Sequence, residues 1–307
     1  MRCDKWHVTS DKMKSPTRKA CSGHVSLFGV PRLRGSVNGD RLKAELQTAF
    51  TIVELLVVIS ILGIMAALTV PVLKNFAKSD ATLGASRQLL DGVARARQLA
   101  ISQRTTVYMV FVPGSFWGSD PSGFLSSLTT SAQKTAATNL CDKQFTGYTF
   151  VSLRSVGDQP WPHTTSYLAP WQTLPDNTFI AVNKFIAPGQ PFSIANYDPS
   201  VNIYGFNTNA AIPFPTADAP PILMPYIAFN YLGQLTVDGQ TVAGQDQYIP
   251  IAKGSVLFAR DTVTKAFQLN PPDVAENPPG NSTNSYNIVH IDRLTGRAVL
   301  EYQKVAP

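Results

Sequence analysis

The chain has 307 residues, 44% of them hydrophobic and 15% charged, enough to bury a sizeable core in one or two domains. Its formal charge of +6 is unevenly placed: ten Lys/Arg against four Asp/Glu fall in residues 1–49, leaving sixteen of each in residues 50–307. A basic end can bind nucleic acid, but a leader beside a membrane segment explains this one more simply, and no pair among the three cysteines (Cys3, Cys21 and Cys141) has zinc-ligand spacing.

The first element with a strong signal is the apolar run of residues 50–73, FTIVELLVVISILGIMAALTVPVL. As a helix it would measure roughly 36 Å at about 1.5 Å per residue, sufficient for a hydrocarbon core of about 30 Å. It is too long and lies too far into the chain for the apolar region of a secretory signal peptide. Glu54 does not suit a plain anchor, because a carboxylate inside a membrane costs around 2.5–3.5 kcal/mol at mid-depth and calls for a partner. Cleavage before Phe50 would create an α-amine four residues away, a ready counter-charge. An uncleaved anchor with an incidental glutamate is the plainer alternative.

These residues carry a resemblance. The run Ala49-Phe50-Thr51-Ile52-Val53-Glu54 resembles the prepilin cleavage and methylation motif of type IV pilins and type II secretion pseudopilins. The resemblance implies a cut between Ala49 and Phe50, with Ala49 standing where that family usually has Gly, and N-methylation of the new terminus at Phe50. It also implies that Glu54, fifth in the mature chain, docks against a neighbouring subunit. Gly63 and Pro71 stand where the family favours a glycine and a proline that shape the helix. Residues 1–49 would then be a leader removed by a prepilin peptidase, with Met13 an alternative start. Proline removes a backbone donor and clashes with the preceding turn, so a kink or local melting is expected at Pro71.

Helix should continue from Val72 to about Gln103. Leu89, Val93, Ala96 and Ala100 form one apolar stripe, with Leu90, Ala94 and Ile101 beside it. Arg87, Arg95, Arg97 and Arg104 surround this stretch, and a solvated helix face is preferred over a DNA-contacting one. From Thr105 the pattern changes to β-branched and aromatic residues, with strand candidates at 106–112, 148–153, 179–185, 227–231, 255–259, 287–292 and 297–302. Arg293-Leu294-Thr295-Gly296 and Val237-Asp238-Gly239-Gln240 read as hairpin turns. Residues 114–139, 159–177 and 196–225 read as long loops. Residues 90–110 and 227–233, together with 291–299, resemble minor pseudopilins of the GspH/FimT kind.

The expected architecture is therefore α+β: a long N-terminal hydrophobic helix (membrane anchor and spine, residues 50–104) followed by an antiparallel β-rich extracytoplasmic domain with long loops (residues 105–307). There is no phosphate-binding loop, HExxH or GxSxG, and the histidines at 7, 24, 163 and 290 show no ligand spacing, so neither catalytic residues nor a cofactor or metal are expected. The function implied by the resemblance is a minor pseudopilin or pilin at the inner membrane. Its partners would be the prepilin peptidase and methylase, other pilin-like subunits, the membrane and the assembly platform. The rivals are a DNA-binding minor pilin and a membrane-tethered ligand-binding domain with a pocket near His163, among Trp161, Pro162, Tyr167 and Trp171.

Overall fold

The computed structural model describes residues 51–155, 164–195, 197–285 and 287–302, with residues 68–80 described by their backbone alone. The chain divides into two units, Met1–Leu56 and Val57–Pro307. In the first, Thr51 caps a helix: its Oγ1 accepts from the Glu54 amide at 3.2 Å, and its carbonyl accepts from Leu55 N at 3.1 Å. Helix α1 (Ile52–Gln103) is α-helical throughout, so the local melting expected at Pro71 does not occur.

In chain order, the elements after α1 are β1 (Val107–Phe111), α2 (Pro121–Ser127), α3 (Ser131–Asn139), β2 (Gly147–Ser152), β3 (Ser166–Tyr167), β4 (Gln172–Thr173) and β5 (Thr178–Ile180). Then come β6 (Pro191–Phe192), β7 (Ile203–Tyr204), β8 (Ala211–Pro213), β9 (Pro221–Leu223), β10 (Tyr226–Phe229) and β11 (Leu235–Thr236). The chain closes with β12 (Gln247–Leu257), β13 (Asp273–Glu276), α4 (Asn281–Asn284), β14 (Asn287–Ile291) and β15 (Ala298–Tyr302). All pairings are antiparallel. One sheet has the order β11-β10-β1-β2-β3, with β4 also on β2; the other has β13-β12-β14-β15, with β5 also on β12. β6 pairs with β7, and β8 with β9.

The C-terminal half of α1 is the centre of the core. Ala85, Leu89, Val93, Ala96 and Ala100 are fully buried, spaced so that they share one helix face. They pack with Met109, Phe150 and Phe229 of the first sheet and with Ile180, Ile249 and Val289 of the second. Close approach is permitted by Gly92, where even a methyl would come within 3.1 Å of the Tyr148 ring and 3.2 Å of Met109. The expected stripe is thus observed, but Ala94 and Ile101 beside it stay exposed.

β1 is buried on both faces because the opposite side of its sheet is covered too. The cover is residues 114–139, which the sequence pattern assigned to a loop. They fold as α2 and α3, seating Phe116, Trp117, Phe124, Leu128 and Ala137 against Tyr108, Val110 and Phe214. Asp120 caps α2 through Gly123 N at 2.9 Å, and Thr130 with Gln133 makes a reciprocal capping box on α3. Tyr167 and Trp171 join this layer. Tyr167 donates to Pro213 O at 2.7 Å, and Trp171 meets Phe214 edge-on at 5.6 Å, so these aromatics hold a loop onto the sheet.

Three turns use one device. Asp238, Asp261 and Asp292 each accept hydrogen bonds from the backbone amides two and three residues on and from the hydroxyl of a threonine at the third position. Those bonds pull all three carboxyls below the usual range, Asp238 to about 2. The turn after Asp292 ends at Gly296, with φ +60°, where an added Cβ would collide with the Gly233 carbonyl. Arg97 Nε donates to Thr295 O at 2.7 Å, fastening this turn to α1.

Two expectations about architecture are corrected. Residues 182–185 turn as a 3-10 helix and carry Lys184 inward, so the strand expected over 179–185 is cut short at Ile180. The membrane anchor is not found: among the described residues no helix is long and apolar enough to cross a membrane. What remains of the expectation is an α+β fold built on antiparallel sheets around the C-terminal half of a long helix.

Candidate assembly surface

The first turns of α1 expose an unusual amount of apolar surface. Ile52, Val53, Leu55, Leu56, Val57, Val58, Ile59, Ile61, Leu62, Ile64 and Met65 are between 45% and 84% exposed and lie on every side of the helix. A helix apolar all round is one made to be surrounded. Burying one such side chain is worth about 1.5–3 kcal/mol, so four of them are worth about 6–12 kcal/mol, comparable to the whole stability of a domain. Contiguous apolar patches of this kind mark interaction surfaces.

Glu54 is the single ionisable group of this stretch. It occupies the third helical position, where Thr51 and Glu54 have the Thr-x-x-Glu spacing of a capping box. Its amide is held by Thr51 Oγ1, and its carboxylate stands in the first turn, where the helix dipole favours negative charge. The Thr-x-x-Glu spacing is the sequence signal of this local role, which the apolar character of the segment hides. A solvent-exposed carboxylate at a capped helix start remains available to a partner.

Gly63 has nothing within 4 Å of the position a Cβ would take. No packing in the described chain requires a glycine there. Pro71 lies within the uninterrupted helix. Ala49 and Phe50 lie outside the described residues, as do Trp161, Pro162 and His163.

The arginines of α1 do not form one free face. Arg95 lies over the Phe150 ring at 5.6 Å, and Arg97 is tied to Thr295. Arg87 and Arg95 line a cleft with Asp91 between them, one turn from each, so charge alternates along that side. Farther along α1, Leu90, Ala94 and Ile101 form an apolar groove with Arg97 and Arg297 at its edges.

Cys141 is buried, 1% exposed, and burial pushes its thiol up to about 11, so it is an inert packing residue. Comparison with protein-family models, with curated proteins and with solved structures finds no match.

Proposed function

We propose that this chain is an assembly subunit of the pilin kind, a minor pseudopilin or pilin of a type II secretion or type IV pilus-like machine. The observation that carries the reading is the exposed, all-apolar start of α1 with one carboxylate, Glu54, in its first turn. In a filament, the equivalent helices of neighbouring subunits would surround it. Glu54 would meet the α-amine created by cleavage at Phe50 on an adjacent copy. A buried charge left without its partner costs about 3–5 kcal/mol, so a subunit docked out of register would be rejected. The β-rich domain would then be displayed on the outer face of the assembly. Partners under this reading are the prepilin peptidase and methylase, other pilin-like subunits and the assembly platform at the inner membrane.

The test is mass spectrometry of the N-terminus of the protein isolated from its native host. A chain starting at Phe50 with a methylated amine supports the reading. A chain retaining residues 1–49 sinks it, because the counter-charge for Glu54 would not exist.

A further inference from the structure

A second surface feature lies on the β-rich domain and is independent of α1. A shallow cleft of about 350 Å³ lies between residues 200–204, residues 244–248 and the turn at Arg293. Asn202, Tyr204, Gln245, Asp246, Tyr248 and Arg293 line it.

Its central groups are held in place from behind. The Tyr248 ring stacks on the His290 imidazole, centroids 4.4 Å apart and planes within 15°. His290 is gripped on both sides, its Nε2 3.0 Å from Asp246 Oδ2 and its Nδ1 2.8 Å from Glu301 Oε1. The other Glu301 oxygen accepts from the Tyr197 hydroxyl at 2.6 Å. Both ring nitrogens of His290 are thus engaged by carboxylates, and among the described residues no group of three or more His, Cys, Asp or Glu side chains could hold a metal. Asp246 Oδ1 accepts from Arg293 N at 3.0 Å, while the Arg293 guanidinium donates to the Gly244 carbonyl. The rim is set as well: Asp198 accepts from both the amide and the hydroxyl of Ser200, at 2.9 and 2.7 Å.

The chemistry of the lining defines a ligand class. One carboxylate and one guanidinium face the cleft, so neither an anion nor a cation finds an excess of opposite charge. Asn202 and Gln245 are exposed amides that can each donate and accept. Planar amide, carboxylate and guanidinium groups suit two adjacent hydroxyls at once. Tyrosine supplies an apolar surface with a polar edge. An open cleft with few apolar side chains is also wrong for a buried hydrophobic ligand. We propose that this cleft binds a neutral saccharide, an exposed stretch or end of a glycan chain lying against Tyr204 and Tyr248, with its hydroxyls on Asn202, Gln245, Asp246 and Arg293.

The experiment is saturation-transfer NMR and calorimetric titration of the full chain with cellohexaose, maltohexaose and the hexamer of N-acetylglucosamine. At least one should bind saturably with a Kd on the order of 0.1–5 mM, as expected for a shallow, wet site. Asn202→Ala and Gln245→Ala, both at exposed positions, should each weaken that binding tenfold or more while leaving the melting temperature unchanged. Absence of binding by all three sugars up to about 20 mM overturns the proposal. So does sugar binding that both variants leave intact, and so does a preference for inorganic phosphate over every sugar.

Discussion

Lys184 offers a sharp test of how the core tolerates charge. It is fully buried, and its amine donates to Tyr204 O at 2.6 Å and Gln247 Oε1 at 2.9 Å while lying over the Phe206 ring at 4.9 Å. Burial lowers its pKa from 10.5 to about 7. Above pH 7 the folded protein has then released a proton that the unfolded chain still holds, up to about pH 10.5. Unfolding takes up that proton, so stability rises with pH across this interval, by about 1.4 kcal/mol per unit. Two other kinds of group oppose it at the upper end. Cys141, raised from 9.0 to about 11, and the buried tyrosines, raised from 10.0, keep protons that the unfolded chain loses, and so reduce stability as pH climbs past those values. The clean window is therefore pH 7 to 8.5, in which the unfolding free energy should rise by about 2 kcal/mol. Urea titrations at half-unit steps measure it. In Lys184→Met the slope should vanish, whatever the variant's absolute stability, since methionine leaves Tyr204 O and the Gln247 amide without their donor. Parallel profiles for the two proteins would refute the reasoning. They would mean that two carbonyl acceptors and one aromatic face accommodate the ammonium fully.

Further outcomes follow from particular contacts. Gly296→Ala combines a positive φ with a collision against the Gly233 carbonyl, and should cost about 2–4 kcal/mol in a denaturant titration. Gly63→Ala meets open space, so it should leave the fold intact and raise helix stability by up to about 1 kcal/mol; reduced co-purification with filaments would then report close packing by a neighbour. Glu54→Gln keeps a residue suited to the capping box while removing the charge, so circular dichroism should be unchanged and incorporation into filaments lost. Cys141 should resist thiol reagents in the native protein and react at once on unfolding.

The elements that the sequence revealed are those in which local pattern and tertiary role agree. The stripe through Leu89, Val93, Ala96 and Ala100 has helical spacing and is buried at every position. β1, β2 and the β14–β15 hairpin combine β-branched or aromatic residues with a turn that needs Gly296. The misses have physical causes. Residues 114–139 are rich in Ser, Gly and aromatics and look irregular, and only Asp120-Pro121 and the Thr130/Gln133 pair announce the two helices. The strand expected over 255–259 is the end of the longer β12, whose earlier part is hidden in the sequence by Pro250, since a proline argues against an inner strand. Yet Ile249 and Ile251 beside it are core residues, and the Pro250 carbonyl still accepts from Ala181 N at 3.0 Å.

The candidate sites were legible to different degrees. An apolar helix made for lipid and one made for other helices use the same side chains, so composition alone suggests an anchor, whereas among the described residues no helix is long and apolar enough to cross a membrane. Glu54 stands out in the sequence as a charge among apolar neighbours, whereas its place in a helix cap with Thr51 shows in the hydrogen bond from its amide to Thr51 Oγ1. The cleft at Tyr204 and Tyr248 had no sequence signature, because it gathers residues from three separate segments, each unremarkable alone.

The claim that the exposed start of α1 packs within an assembly is tested most directly by photo-cross-linking in the native host. A photoreactive residue would replace Ile61, with the same residue at Val263, 85% exposed in a turn of the β-rich domain, as the control. The account predicts discrete protein adducts from position 61, containing the N-terminal helix of another pilin-like subunit, and none of that kind from position 263. Position 61 yielding no protein adduct, or the same adducts as position 263, would contradict it.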